Sequence, residues 1–151
     1  SRRLKIRMSQ KELRELLTTK TPPHPKKENG FYQEIKRAVE KLPDNIILTR
    51  IENWMTLGIP DLLICDDKNQ FHFVELKVTL GNVVKLSSAQ IAWLTRHCRA
   101  SVWVLVRTPN VIYLYAGSQA VDLRIKGLRL KPIFKTEYPF DWAKTFSLIF
   151  D

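Results

Sequence analysis

Cysteine is scarce in this sequence of 151 residues: only Cys65 and Cys98 are present, each within an apolar segment. Two cysteines cannot form a disulfide framework or a four-thiolate zinc site. No apolar run approaches the roughly 20 residues that a membrane-spanning helix needs, and the basic residues 1–8 lack the apolar stretch of a signal peptide. We therefore expect a reduced, cytoplasmic protein with two buried thiols, and the small size would suit a bacterial or phage source.

Acidic residues are also few, because 15 Asp and Glu face 25 Lys and Arg, for a net charge of +10. Residues 1–27 and 81–135 are strongly basic, whereas residues 28–80 carry nine acidic and six basic side chains. The basic excess indicates a polyanionic partner. An acidic segment between two basic ones is of no use to a protein that only neutralises phosphates, but it suits an enzyme that holds divalent cations. Acids in turn-like contexts, such as Asp66 and Asp67, are expected to be solvated.

The sequence contains no repeat and no low-complexity tract, and its apolar fraction of 44% is sufficient for a packed core. Periodicity and capping signals predict helices at residues 10–19, 31–42, 88–99 and 141–150, and a short one at 119–123. Strands are predicted at 46–51, 61–65, 71–78, 101–106 and 111–116, with another near 132–135 in an otherwise irregular segment from 126 to 139. This order indicates an α/β layer structure at residues 30–151, preceded by a basic helix and a Pro-rich linker at 1–29.

The most informative residues are the Gly-Ile-Pro-Asp turn at 58–61, the Glu-Leu-Lys run at 75–77, and Gln90. Asp61 begins one predicted strand, and Glu75 lies 14 residues later, towards the end of the next. Side chains alternate along a strand, so Glu75 and Lys77 share a face. Asp61, Glu75 and Lys77 are therefore expected to converge at one end of a β-hairpin.

This pattern resembles the PD-(D/E)XK nuclease superfamily, with Pro60-Asp61 and Glu75-Leu76-Lys77 as the two halves of its motif. It is most similar to the branch that contains archaeal-type Holliday junction resolvases and VRR-NUC nucleases. The resemblance covers about residues 30–116. It implies a restriction-endonuclease-like α-β-β-β-α-β core with a mixed central sheet, plus an N-terminal helix and a C-terminal helical extension.

The resemblance also implies a Mg²⁺ site, at which Mn²⁺ would substitute. Asp61 and Glu75 would supply carboxylate oxygens, a backbone carbonyl near Leu76 would be a third ligand, and Lys77 would provide orientation and positive charge. The structural alternatives stay open: Asp61 could stabilise only its turn, and Glu75 could form only a salt bridge with Lys77.

Two further residues complete the predicted catalytic set. Glu34, at the edge of the apolar stripe of its helix, would bind a second metal or one of its waters; Glu28 and Glu40 are its rivals. Gln90 would orient substrate or water, unless it is only a helix-start residue.

The basic side chains Lys85, Arg96, Arg99 and Arg107 are expected to follow the phosphate backbone of a nucleic acid. No recognition helix, zinc finger or aromatic RNA-binding motif is present, so structure-selective or nonspecific binding is favoured over base readout.

The sequence therefore predicts a Mg²⁺-dependent DNA endonuclease, with branched DNA in repair or recombination as a candidate substrate. A non-catalytic nucleic-acid-binding module on the same fold and an RNA-directed nuclease remain alternatives. Resolution of a junction would require a homodimer. Its candidate interface is the aromatic C-terminal segment with Phe140, Trp142, Phe146 and Phe150.

Overall fold

The computed structural model describes residues 9–10, 24–25, 27–52 and 55–151. The helix predicted at residues 10–19 and most of the basic N-terminal segment lie outside the described residues. The elements in chain order are α1 (Glu28–Glu40), β1 (Ile47–Arg50), β2 (Leu62–Cys65), β3 (Phe71–Val78), α2 (Ser88–Arg96), β4 (Val102–Arg107), β5 (Val111–Ala116), α3 (Ala120–Lys126), β6 (Phe134–Glu137) and α4 (Trp142–Phe150). None of these helices is long and apolar enough to traverse a lipid bilayer.

The six strands form one mixed sheet in the order β1-β2-β3-β4-β5-β6. Strands β3 and β4 are parallel, and the other neighbouring strands are antiparallel. A parallel pair needs a crossover connection, and α2 lies within it. The order α1-β1-β2-β3-α2-β4 is the predicted α-β-β-β-α-β core, so the predicted α/β fold class is confirmed.

Helices cover both faces of the sheet. Phe31 and Ile35 of α1 and Phe146 of α4 pack on one face, around Leu76 of β3. On the other face, the core contains buried residues of α2, α3 and their neighbouring strands: Leu94, Val104, Tyr115, Ala120 and Leu123. Because side chains alternate along a strand, β3 directs Leu76 into the first core and Glu75 towards the face that carries α2.

Helix α1 is amphipathic, because Phe31, Ile35 and Val39 recur at helical spacing and are buried. Their burial sets the rotation of the helix about its own axis. Glu34 is consequently half-buried at the edge of the apolar stripe, as predicted, and Glu40 is exposed.

Helix α4 confirms the predicted C-terminal helix, and its aromatic side chains are directed inward. The carboxylate of Asp141 caps the helix by accepting the N–H of Lys144 at 3.0 Å. Phe146 is buried, and Phe140, Trp142 and Phe150 pack against the same core. The aromatic set predicted as a dimer interface is therefore largely used within the chain, because the sheet face beneath it needs an apolar cover.

Two segments differ from the sequence predictions. Helix α2 ends at Arg96, earlier than predicted, so Cys98 lies in the following turn and is exposed, while Cys65 is half-buried. The prediction of two buried thiols is therefore wrong for Cys98. The strand predicted near residues 132–135 is present, but it lies slightly later, as β6 (Phe134–Glu137), and pairs with β5 at the edge of the sheet.

A buried polar cluster joins the β2–β3 turn to the start of β4. His72 Nε2 lies 2.8 Å from Asp66 Oδ2, and His72 Nδ1 lies 2.6 Å from Ser101 Oγ. Asp66 Oδ1 also accepts the N–H groups of Lys68 and Gln70, each at 2.9 Å. Asp66 is only 3% exposed, so the expectation that it is solvated is wrong. The turn folds over the carboxylate, which holds the turn and His72 together.

Asp66→Asn is expected to destabilise the fold at neutral pH and to have a smaller effect in acid. The hydrogen bond with His72, and then that with Gln70, lower the pKa of Asp66. A carboxyl group with a lower pKa in the folded chain adds stability above its unfolded pKa, and this contribution is lost as pH falls through the folded pKa. Urea unfolding at pH 7 and at about pH 3 measures the difference, with the exposed-site variant Asp67→Asn as control. Equal losses at both pH values would contradict the prediction.

Candidate active site

The β2–β3 hairpin brings Asp61 and Glu75 together. The register pairs Leu62 with Val74, so Asp61, the residue before β2, lies opposite Glu75. Asp61 Oδ2 accepts the N–H of Leu76 at 3.2 Å, which fixes the carboxylate against β3. The start of one strand and the far part of the next therefore meet, as the 14-residue spacing predicted.

Lys77 lies on the same face of β3 as Glu75, and its ammonium Nζ is 3.6 Å from Glu75 Oε1. Gln90 connects the two side chains from the first turn of α2. Its Oε1 accepts from Lys77 Nζ at 3.0 Å, and its Nε2 donates to Glu75 Oε1 at 3.0 Å. The structure thus brings Asp61, Glu75, Lys77 and Gln90 into one cluster.

The position of Gln90 follows from the way that α2 begins. Ser87 is the N-cap: its Oγ accepts the N–H of Gln90 at 3.1 Å, and Gln90 Oε1 accepts the N–H of Ser87 at 2.9 Å. This reciprocal capping box anchors the amide group of Gln90 to its own helix. The same amide then reaches Glu75 and Lys77, so helix capping and site geometry are set by one side chain.

Gly58 allows the β1–β2 loop to approach α2 closely. Its φ is +84°, and a Cβ at this position would lie 2.2 Å from the carbonyl oxygen of Ala89. Any residue other than glycine would have to push the loop away from α2. The glycine of the Gly-Ile-Pro-Asp turn therefore keeps Asp61 near the helix that carries Gln90.

Glu75 is the least solvated acid of the cluster. The residue is 1% exposed, and its Oε2 is buried without a hydrogen-bond partner among the described residues. Burial, and then the charge of the facing Asp61, raise the pKa of Glu75 to about 9 against the opposing effect of Lys77. Two carboxylates have been placed together with too little positive charge to keep both ionised.

The donor set fits a divalent cation held by few protein ligands. Asp61 and Glu75 offer carboxylate oxygens, and the orphaned Glu75 Oε2 is the kind of buried atom that a cation would satisfy. In the described part of the chain, no group of three or more His, Cys, Asp or Glu side chains could hold a metal. Mg²⁺ is commonly bound through one or two carboxylates and several waters, so this ion suits the site better than a metal that needs an all-protein cage. The ligand role predicted for the carbonyl of Leu76 stays a prediction.

Glu34 has a different partner from the one that the sequence suggested. Its Oε1 and Oε2 accept from Nε and Nη2 of Arg107, at 2.8 and 3.0 Å. The pair lies where α1 crosses the end of β4. Since Glu34 does not form a three-acid group with Asp61 and Glu75, the structure gives no support to a second metal at this residue.

Arg107 is fully buried, so it cannot contact a nucleic acid. The prediction that it binds the phosphate backbone is therefore wrong. Its Nη1 donates to the carbonyl oxygens of Thr108 and Pro109, and its guanidinium lies 4.7 Å from the centre of the Phe140 ring. Arg107 is buried because its side chain lies on the face of β4 that α1 covers. The other three predicted phosphate contacts, Lys85, Arg96 and Arg99, are exposed.

A cleft of about 710 Å³ opens beside Lys77, and no pattern in the sequence predicts it. Its walls include Val78 at the end of β3, residues 79–81 and 83–85 after this strand, and His24 and Glu28. His24, which belongs to the predicted Pro-rich linker, is half-buried. The cleft depends on the conformation of the loops around it, which no residue pattern predicts.

Comparisons with known proteins give a distant likeness to solved structures and nothing more. No family model and no curated protein matches the sequence. Among solved structures, the chain is similar to Hjc of Archaeoglobus fulgidus, a Holliday junction resolvase from an archaeal hyperthermophile, with 15% identity and a TM-score of 0.47 over 60% of this chain and 78% of that one. A likeness of this size assigns no activity to the chain.

Glu75→Gln is expected to remove part of the pH dependence of stability in metal-free protein. An acid whose folded pKa, about 9, exceeds its ordinary value of 4.5 contributes stability at low pH that is lost as pH rises through the folded pKa. The free energy of unfolding of the wild type should therefore fall more steeply than that of Glu75→Gln between about pH 5 and pH 9. Urea titrations in EDTA measure both, with the exposed acid variant Glu40→Gln as control. Parallel curves for wild type and Glu75→Gln would refute the assignment.

Glu34→Gln is expected to lower the free energy of unfolding by about 3 kcal/mol, because it leaves the buried guanidinium of Arg107 without a counter-charge. Arg107→Met should cost less, since the Glu34 side chain is 19% exposed and water can partly replace its partner. The double variant should be no less stable than Glu34→Gln alone. Denaturant unfolding of the four proteins measures the cycle, and additive losses would contradict a coupled pair.

Proposed function

We propose that this chain is a metal-dependent nuclease that hydrolyses phosphodiester bonds in DNA, related to the PD-(D/E)XK superfamily. One observation carries the proposal: a buried glutamate with an unpartnered oxygen, Glu75, faces Asp61 and lies beside Lys77. A solely structural salt bridge would leave no reason for a second carboxylate opposite the first. A cation site explains the pair, because Mg²⁺ is bound through one or two carboxylates.

Asp61 and Glu75 would hold Mg²⁺, with Mn²⁺ as a substitute. A divalent cation bound there would polarise the phosphodiester and lower the pKa of an attacking water. Lys77 adds a positive charge next to the two acids, where negative charge accumulates during hydrolysis. Gln90 holds Lys77 and Glu75 at fixed separation through its two hydrogen bonds, so the site needs little rearrangement before reaction.

The proposed substrate is DNA because the chain carries a net charge of +10 and exposes basic side chains outside the acidic cluster, among them Lys85, Arg96 and Arg99. Such contacts bind the phosphate backbone independently of sequence. Branched DNA is the candidate substrate within this class, from the resemblance of the motif to resolvases. Action on a junction would also need the predicted homodimer.

Asp61→Asn and Glu75→Gln should each reduce Mg²⁺-dependent cleavage by about 10²-fold or more, because each removes a charged ligand. Both changes retain an oxygen that accepts the local hydrogen bond, so the fold and DNA binding should persist. Cleavage is measured on a panel of four-way junction, flap, single-stranded and linear duplex DNA, with a matched RNA single strand. Binding is measured separately by fluorescence anisotropy in EDTA.

The control is Glu40→Gln, which removes an exposed acid from α1 and should leave cleavage unchanged. If the Asp61→Asn and Glu75→Gln variants cleave DNA as well as the wild type does, the assignment of the site is wrong. DNA binding without cleavage of any substrate in Mg²⁺ or Mn²⁺ would favour a non-catalytic binding module. Cleavage of the RNA strand alone would favour an RNA-directed nuclease.

A further inference from the structure

The cleft beside Lys77 begins at the carboxyl end of β3 and continues along the segment that follows this strand. Lys77 therefore lines both the acidic cluster and the cleft. The volume of the cleft, about 710 Å³, falls within the range of roughly 300–1,000 Å³ that is usual for small-ligand sites. A group that enters the cleft would lie directly next to a phosphate held at the active site.

The wall of the cleft contains two aliphatic side chains that the fold leaves in water. Leu80 is 79% exposed and Val83 is 67% exposed. Val84, between Val83 and Lys85, is buried at 2% exposure and supports this wall from beneath. Exposed apolar side chains grouped at the mouth of a site indicate a surface that binds an apolar group.

The loop that carries Leu80 and Val83 is held in place. Thr79 Oγ1 donates to the carbonyl oxygen of Val83 at 3.0 Å, and the carbonyl oxygen of Asn82 accepts the N–H of Leu128 at 2.8 Å. Gly127 makes this second contact possible, because a Cβ there would lie 2.1 Å from the Asn82 oxygen. Since the backbone is fixed at two points, the apolar wall is formed before any ligand arrives.

The charged and polar groups of the cleft suit a nucleotide. Among the described residues of its walls, Lys85 adds a cation beside Lys77, whose ammonium is held by Glu75 and Gln90, and Glu28 is the acid. His24 lies on the wall of the cleft. One ring nitrogen faces the backbone of Thr108, and the other can offer a donor or an acceptor to the edge of a base. Burial, and then the charge of Arg107, lower the pKa of His24, which favours the neutral ring.

We propose that this cleft receives one unpaired nucleotide of the substrate, next to the phosphate at the active site. The base packs against Leu80 and Val83, and its phosphate contacts Lys85. The proposal rests on the nuclease function and deepens it, because it names the substrate class. A base within a continuous duplex is paired and stacked, so its entry costs free energy, whereas a gap, flap or junction offers a base that is already unpaired.

The experiment uses 2-aminopurine, a fluorescent base whose emission rises when it leaves the base stack. It is placed at successive positions across a three-nucleotide gap in a DNA duplex, with an ungapped duplex of the same sequence as reference. All measurements are made in EDTA on the full chain, so the result does not depend on cleavage. We expect emission to rise at one or two gap positions and to stay constant in the ungapped duplex.

The variant Leu80→Ala/Val83→Ala tests the apolar wall without disturbing the core, since both side chains are exposed. It should weaken binding to gapped DNA about tenfold, as expected for loss of contacts to one base, and leave binding to ungapped duplex unchanged. Lys85→Ala should weaken binding to the gapped DNA as well. The matched control is Val121→Ala/Ile125→Ala, which removes two exposed aliphatic side chains from α3 and should change neither affinity.

Failure of this inference and failure of the nuclease proposal give different results. Cleavage in Mg²⁺ without any rise in 2-aminopurine emission, or with equal loss of affinity for gapped and ungapped DNA in Leu80→Ala/Val83→Ala, would overturn the nucleotide cleft and leave the nuclease standing. A position-specific rise in emission without cleavage of any DNA would support the cleft and overturn the nuclease.

Discussion

The buried carboxylate of Glu75 is the constraint around which the candidate site is organised. A carboxylate with almost no access to water and one unpartnered oxygen is unfavourable unless positive charge is supplied nearby. Lys77 supplies positive charge and Gln90 a hydrogen bond to one oxygen of Glu75. Asp61 increases the need for positive charge, because it adds a second negative group. The cluster therefore favours the binding of a proton or of a cation, and binding of a cation is the basis of the proposed chemistry.

Three local features of the fold position the residues of this cluster. The antiparallel register of β2 and β3 places Asp61 opposite Glu75. The capping box of Ser87 and Gln90 anchors the amide that links Glu75 to Lys77. Gly58 lets the preceding loop lie against the start of α2. The site exists because all three act at the same edge of the sheet.

A second ion pair, between Glu34 and Arg107, lies on the opposite side of the sheet and has a structural character. Its guanidinium contacts a carboxylate, two carbonyl oxygens and an aromatic ring, and it ties α1 to the end of β4. Although Glu34 is an acid on the helix that precedes the hairpin, its two oxygens are already engaged. The acidic cluster and the cleft share Lys77 at the carboxyl end of β3, and together they form the surface that we propose for a nucleic acid with an unpaired base.

The order of helices and strands was readable from the sequence, because periodicities of two and of about 3.6 residues report which side chains are buried. The convergence of Asp61, Glu75 and Lys77 was readable for the same reason: alternation along a strand and a 14-residue spacing leave little freedom to a hairpin. Ion pairs between residues that lie far apart in the chain could not be predicted from the sequence. Glu34 and Arg107 are 73 residues apart, and nothing local to either residue indicates that α1 crosses the end of β4. The burial of Asp66, the exposure of Cys98 and the cleft beyond β3 likewise depend on how loops fold back onto distant elements, and only the tertiary structure decides that.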